Sequence, residues 1–139
     1  MSILSFGKKD ENANAANPFM VDLRSVDKYY QSAAGDYHAL KTVDLQITPG
    51  EFVSIIGKSG SGKCTLLIMI TGIDRPTTGE VYVNGTAIHN MTENQLAAWR
   101  GENLGIIFQF FQLLPALNIK QNVILPMDLA GKYKPRERQ

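Results

Sequence analysis

Cysteine is nearly absent, with Cys64 the only one in 139 residues. A single thiol excludes an intrachain disulfide and a cysteine-based zinc cluster, and it fits a reducing, cytoplasmic setting. Long hydrophobic runs are lacking too. The longest, residues 66–70, falls far short of the ~20 apolar residues of a membrane-crossing helix, so no membrane span is expected. Nor is there an excess of either charge, since 14 Lys and Arg face 13 Asp and Glu for a formal net charge of +1. That balance lends no support to nucleic-acid binding. The opening residues Met1-Ser2-Ile3-Leu4-Ser5-Phe6 carry no basic leader before a long apolar segment and do not read as a secretory signal. Residues 1–18, rich in Asn and Ala, are expected to form a flexible tail.

Against these absences, 44% of the residues are hydrophobic, enough for one sizeable core in a single domain. Apolar residues alternate in 20–30 (Val21, Leu23) and in 40–48 (Val43, Leu45, Ile47), which predicts two strands. After the Pro49-Gly50 turn, Phe52-Val53-Ser54-Ile55-Ile56 stops at Gly57, the pattern of a buried strand. Residues 65–71 are apolar nearly all round and end at Gly72, which predicts a central helix buried on most faces. A strand over 80–83 and the turn pair Asn84-Gly85 follow. Thr92 and Gln95 have capping-box spacing ahead of a helix running towards Arg100, and Asn118 and Gln121 repeat that spacing ahead of a helix that Pro126 and Gly131 disturb or end. Leu104-Gly105-Ile106-Ile107-Phe108 is expected to be a second buried strand.

The chemistry concentrates in Gly57, Lys58, Ser59, Gly60, Ser61, Gly62, Lys63, Cys64 and Thr65. Gly57 through Lys63 matches G-x-x-x-x-G-K, a phosphate-binding loop. Glycines let the backbone wrap so that amides converge on phosphate oxygens, and the next helix aims its positive end at them. Lys63 adds a mobile cation. ATP is the expected ligand, with Lys63 as the candidate catalytic cation.

One position departs from the pattern. The residue after the lysine is normally Ser or Thr, whose hydroxyl ligates Mg²⁺; Cys64 puts a soft sulfur where a hard cation wants oxygen. Metal binding at Cys64 is expected to suffer while phosphate binding survives. Thr65 is a poor substitute, because one residue along a helix turns its side chain by roughly 100°. A thiol at a helix N-terminus beside a lysine is also a candidate for ready alkylation.

A phosphate loop alone does not separate kinases, GTPases and transport ATPases. The flanking segments do. Lys28-Tyr29-Tyr30, Leu40-Lys41-Thr42-Val43-Asp44-Leu45, Pro49-Gly50-Glu51-Phe52 and Leu66-Leu67, then Pro76-Thr77-Thr78-Gly79-Glu80-Val81 and Leu104 to Pro115, resemble ATP-binding cassette (ABC) transporter ATPases. The last stretch, with Asn122-Val123-Ile124-Leu125-Pro126 behind it, is most similar to the subgroup that drives lipoprotein release and macrolide export. A kinase or GTPase is disfavoured, since Gln109 and its surroundings match neither. The resemblance implies an α/β fold, a P-loop NTPase core, partly parallel, with an antiparallel β portion. It also implies that Tyr30 stacks on adenine, with Tyr29 and Tyr37 as rivals. Gln109 is implied to reach the metal and the attacking water, so that Cys64 and Gln109 are the candidate metal residues.

The family completes its site with an apolar strand ending in Asp-Glu and with a Leu-Ser-Gly-Gly-Gln signature; neither occurs here. Residues 19–139 are therefore expected to be roughly the first half of such a domain, lacking its C-terminal half. Such a protein is expected not to hydrolyse ATP by itself. The full-length version is implied to dimerise and to drive a transmembrane permease from the cytoplasmic side, peripheral on the inner face of the plasma membrane. The alternative is a non-hydrolysing nucleotide-binding module or a truncated gene product.

Overall fold

The alternating segments build antiparallel sheet. In the computed structural model, which describes residues 1–6, 18–33, 35–110 and 112–131, the elements are β1 (Ser2–Phe6), β2 (Val21–Tyr30), β3 (Tyr37–Ile47), β4 (Phe52–Ile56), α1 (Lys63–Ile70), β5 (Thr78–Val83), β6 (Thr86–Ala87), a 3₁₀ turn (Ile88–Asn90), α2 (Glu93–Asn103) and α3 (Ile119–Ala130). The chain divides into two compact units, Met1–Leu96 and Ala97–Gln139.

In the first unit a four-stranded sheet runs in the order β3-β2-β5-β6. Val21 lies opposite both Ile47 and Val83, and Leu23 opposite both Leu45 and Val81. That register places Leu23, Leu45, Val81 and Val83 together in the core, as a period of two requires. Two irregularities in the β2–β3 pairing are capped reciprocally. Ser25 and Thr42 have φ of 47° and 45°. The Ser25 amide donates to Asp44 Oδ1 on β3 at 2.8 Å, and the Thr42 amide to Asp27 Oδ1 on β2 at 3.1 Å. Each strand thus supplies the carboxylate for the amide that its neighbour's bulge leaves without a ladder partner. Asp22, fully buried, is matched by Arg24 at 2.9 and 2.7 Å and by Gln46 at 3.3 Å.

Helix α1 buries Leu66 and Met69, which at three residues' spacing share one face. Burial of each stabilises by about 1.5–3 kcal/mol. Leu67 lies roughly 100° round the helix and is half exposed. The expected burial on most faces is therefore corrected to a single buried stripe. Both anticipated caps form. Thr92 N–H donates to Gln95 Oε1 at 2.8 Å while the Gln95 amide faces Thr92 Oγ1 at 3.4 Å. Asn118 and Gln121 exchange two bonds of 2.9 Å. Helix α3 continues through Pro126 and ends at Gly131, whose φ of 63° closes it.

Three further expectations are corrected. Ser2–Phe6, anticipated as tail, is a strand paired antiparallel with β4, Ser2 opposite Ile56 and Phe6 opposite Phe52; it satisfies edge amides and carbonyls of β4. Residues 7–17 lie outside the described residues. Parallel pairing is not found among the described residues, where every strand pair is antiparallel. Residues 104–108 are not a strand, because no described segment offers them a ladder, and Ile107 is almost fully exposed. Trp99, in the second unit, is buried as a packing residue, and Phe111 lies outside the described residues.

Candidate nucleotide-phosphate site

Strand β4 ends at Ile56, and seven residues later α1 begins at Lys63. Between them the Ser61 amide donates to the Lys58 carbonyl at 3.2 Å, folding the loop into a tight turn. Gly60 and Gly62 have φ of 75° and 86°, a region costly for residues with a Cβ. At Gly62 a Cβ would also lie 2.6 Å from the Ala39 carbonyl oxygen, so glycine is needed for space as well as for conformation. Gly62 is the N-cap of α1, and Leu66 N–H returns to its carbonyl at 2.8 Å. The amides ahead of Leu66 are the open donors that every helix start carries, with the positive end of the helix dipole behind them.

These groups line a cavity of about 240 Å³ together with Ser59, Gly60, Ser61, Lys63, Cys64, Thr65 and Tyr37. Lys63 Nζ donates to the carbonyl oxygens of Gly57 at 2.8 Å and Lys58 at 2.7 Å, so the loop holds its cation over its own backbone. Tyr37 Oη donates to the Gly60 carbonyl at 2.9 Å. Cys64 is exposed on the first turn of α1.

The three rival tyrosines have separate surroundings. Tyr29 stacks on His38, with ring centroids 3.9 Å apart and planes within 16°. Tyr37 is tied to the loop. Tyr30, at the end of β2, donates its hydroxyl to Asp74 Oδ2 at 3.2 Å, and the Thr65 side chain faces the same hydroxyl. Lys28 Nζ lies 4.9 Å from the Tyr30 ring centroid and 2.8 Å from Asp74 Oδ2. Burial and the neighbouring Asp74 carboxylate push the Tyr30 hydroxyl above its ordinary pKa. Burial pushes the Asp74 carboxyl up, but Lys28 and the Arg75 amide outweigh it and hold the group below its usual value.

Gln109 belongs to the second unit, exposed in the irregular segment after α2. His38 contacts Asp27 at 2.6 Å and His89 contacts the Val81 backbone at 3.1 Å. Among the described residues no group of three or more His, Cys, Asp or Glu is placed to hold a metal. The donor set does not fit Mg²⁺, since the side chain beside Lys63 offers sulfur rather than oxygen. Sequence spacing missed Asp74 and the Tyr37–Gly60 bond. Their partners stand 44 and 23 residues away, and no local signal marks such pairings.

A strand that feeds a glycine-rich loop into a helix N-terminus, beside an antiparallel sheet, places this fold among the P-loop cassettes that bind nucleotides. The chain belongs to the ABC transporter family, whose model matches residues 40–139. It is 46% identical over 120 residues to the ABC transporter ATP-binding protein YknY of Bacillus subtilis, covering 86% of this chain and 52% of that protein. It is 42% identical over 112 residues to the lipoprotein-releasing system ATP-binding protein LolD of Bacteroides thetaiotaomicron, covering 81% of this chain and 50% of that one. Among solved structures it resembles the dimeric post-hydrolysis state of the MJ0796 cassette of Methanocaldococcus jannaschii bound to ADP and Pi. That match has a TM-score of 0.80 and 41% identity, over 86% of this chain and 52% of that one. The chain thus spans about half the length of the relatives it matches.

Proposed function

We infer that residues 57–65 hold the phosphates of ATP, and that the chain is the phosphate-holding portion of an ABC transporter ATP-binding subunit. The carrying observation is the cavity of about 240 Å³ at the start of α1, lined by Ser59 to Thr65, with the Lys63 ammonium held beside it on the Gly57 and Lys58 carbonyls. A polyphosphate is the ligand whose charge and multiple acceptor oxygens suit that set of donors. Tyr30 is the residue for the adenine ring: Tyr29 already stacks on His38 and Tyr37 is committed to the loop. Gln109 is the proposed contact to the attacking water, its amide offering both donor and acceptor.

In the whole protein these parts serve a dimer that couples ATP to a transmembrane permease from the cytoplasmic side. The dimeric, ADP-bound state of the MJ0796 cassette supports that reading. Phosphoryl transfer relies on positioning and charge stabilisation by lysine, metal and a water-orienting group. This chain carries the lysine and has Cys64, a soft sulfur, at the proposed metal position. Binding without turnover is therefore its expected behaviour. Cys64 also favours a second reading, a nucleotide-binding module that does not hydrolyse.

The test is calorimetric titration with ATP in metal-free buffer, for the native chain and for Lys63→Ala. Loss of one charge-assisted contact weakens binding by about 10- to 100-fold. Equal affinities for the two proteins would remove the phosphate reading. ATPase activity of the pure chain, abolished by Lys63→Ala, would overturn the expectation of binding without turnover.

A further inference from the structure

We propose that Asp74 is a positioning residue for nucleotide recognition: it anchors Tyr30 by its hydroxyl and, with Lys28, leaves one face of the ring for a base. The inference rests on the reading of Tyr30 as the base-stacking residue and extends it to residues with no assigned role.

Asp74 stands in the turn that follows α1, and Tyr30 at the far end of β2. One carboxylate oxygen, Oδ2, takes both the Tyr30 hydroxyl at 3.2 Å and the Lys28 ammonium at 2.8 Å. The other, Oδ1, accepts the Arg75 amide at 2.7 Å, which sets the carboxylate plane. Lys28 is pinned a second time, to the Arg75 carbonyl at 2.7 Å, and its side chain is only 12% exposed. A nearly buried ammonium with two fixed acceptors does not wander. Its place 4.9 Å from the Tyr30 centroid therefore occupies one ring face with a cation.

Tyr30 as a residue is 36% exposed, and the ring face away from Lys28 is the one assigned to stacking. Every base has a π-face that can use it. A tyrosine free to rotate would lose side-chain entropy on stacking, whereas one held at its hydroxyl has lost that freedom before the ligand arrives. The Thr65 side chain also faces the Tyr30 hydroxyl, and Thr65 lines the phosphate cavity. The anchored hydroxyl thus lies near the cavity that the loop lines.

The experiment compares ATP with inorganic tripolyphosphate, which shares the phosphates and lacks the base. Both are titrated calorimetrically into the full chain in EDTA, for the native protein, Tyr30→Phe and Asp74→Asn. Tyr30→Phe removes only the anchored hydroxyl, so it stands as the test should loss of the Asp74 charge beside Lys28 unfold the protein. The expected result is that both variants lose about fivefold in affinity for ATP and keep tripolyphosphate affinity within about twofold. A merely structural tie would move both ligands together or neither, and either outcome for Tyr30→Phe overturns the proposal. Native protein that binds tripolyphosphate as tightly as ATP has no base position, which also overturns it while leaving the phosphate loop intact. Native protein that binds neither ligand removes the phosphate reading itself, and this proposal with it.

Discussion

The hydroxyl of Tyr37 donates to the carbonyl oxygen of Gly60 at 2.9 Å across 23 residues of sequence. The first residue of β3 thereby holds the crest of the phosphate loop, where Gly60 has a φ of 75°. Glycine at such a position has many conformations to lose, and one external bond limits them before any phosphate binds. Tyr37→Phe is expected to weaken ATP and tripolyphosphate alike by about two- to tenfold, the range of one net hydrogen bond. If calorimetry shows a loss for ATP alone, Tyr37 and not Tyr30 is the base-stacking ring.

Cys64 is expected to set the metal dependence of ATP binding. For the native chain, adding Mg²⁺ is expected to change ATP affinity little, whereas Cys64→Ser should gain on the order of tenfold from the metal as its hydroxyl becomes a hard ligand. The same Mg²⁺ gain in both proteins would show that sulfur is no obstacle. Because the thiol is exposed and lines the phosphate cavity, iodoacetamide should label it, with ATP slowing the reaction. Labelling at an unchanged rate under saturating ATP would place the thiol away from the phosphates.

Gly62→Ala combines two costs at one site. Its φ is 86°, and the new methyl would stand 2.6 Å from the Ala39 carbonyl oxygen and 3.2 Å from Leu40 Cδ2. Strain of this kind costs about 1–3 kcal/mol, so the urea midpoint should fall. An unchanged midpoint would mean that the loop relaxes away from β3.

Asp27 makes stability depend on acid. The Thr42 amide, then His38, hold its carboxyl below the usual value of 3.8. A carboxyl whose folded pKa is depressed contributes stability that is complete above the unfolded value and is lost as pH falls through the folded one. Thermal melts of the native chain should therefore drop as pH falls below 3.8, with a shallower drop for Asp27→Asn. Parallel curves for the two proteins would show that the β2–β3 bulges are held by other bonds.

Some of this architecture could be read along the chain because its causes are local. Val21 and Leu23 alternate, Asn118 and Gln121 cap, and Gly57 stops a β-branched run, each within a few residues. The misreadings have the opposite character. Residues 104–108 carry a strand's composition, but a strand exists only with a neighbour to bond. Ser2–Phe6 carries little signal and becomes a strand because β4 has an open edge. Leu67 is as apolar as Leu66, yet only Leu66 is buried.

The site divides along the same line. The order of nine residues from Gly57 to Thr65 carries the phosphate-loop pattern with a sulfur after its lysine, since backbone conformation, helix start and donor chemistry all act over that short span. Which tyrosine is tied to the loop, which is stacked on histidine and which is anchored beside Lys28 was decided by strand register. Tyr29, Tyr30 and Tyr37 are alike in side chain, and Tyr30 lies directly opposite Tyr37 in the β2–β3 ladder. Only pairing that brings residues 23 and 44 positions apart into hydrogen-bond range gives them different partners.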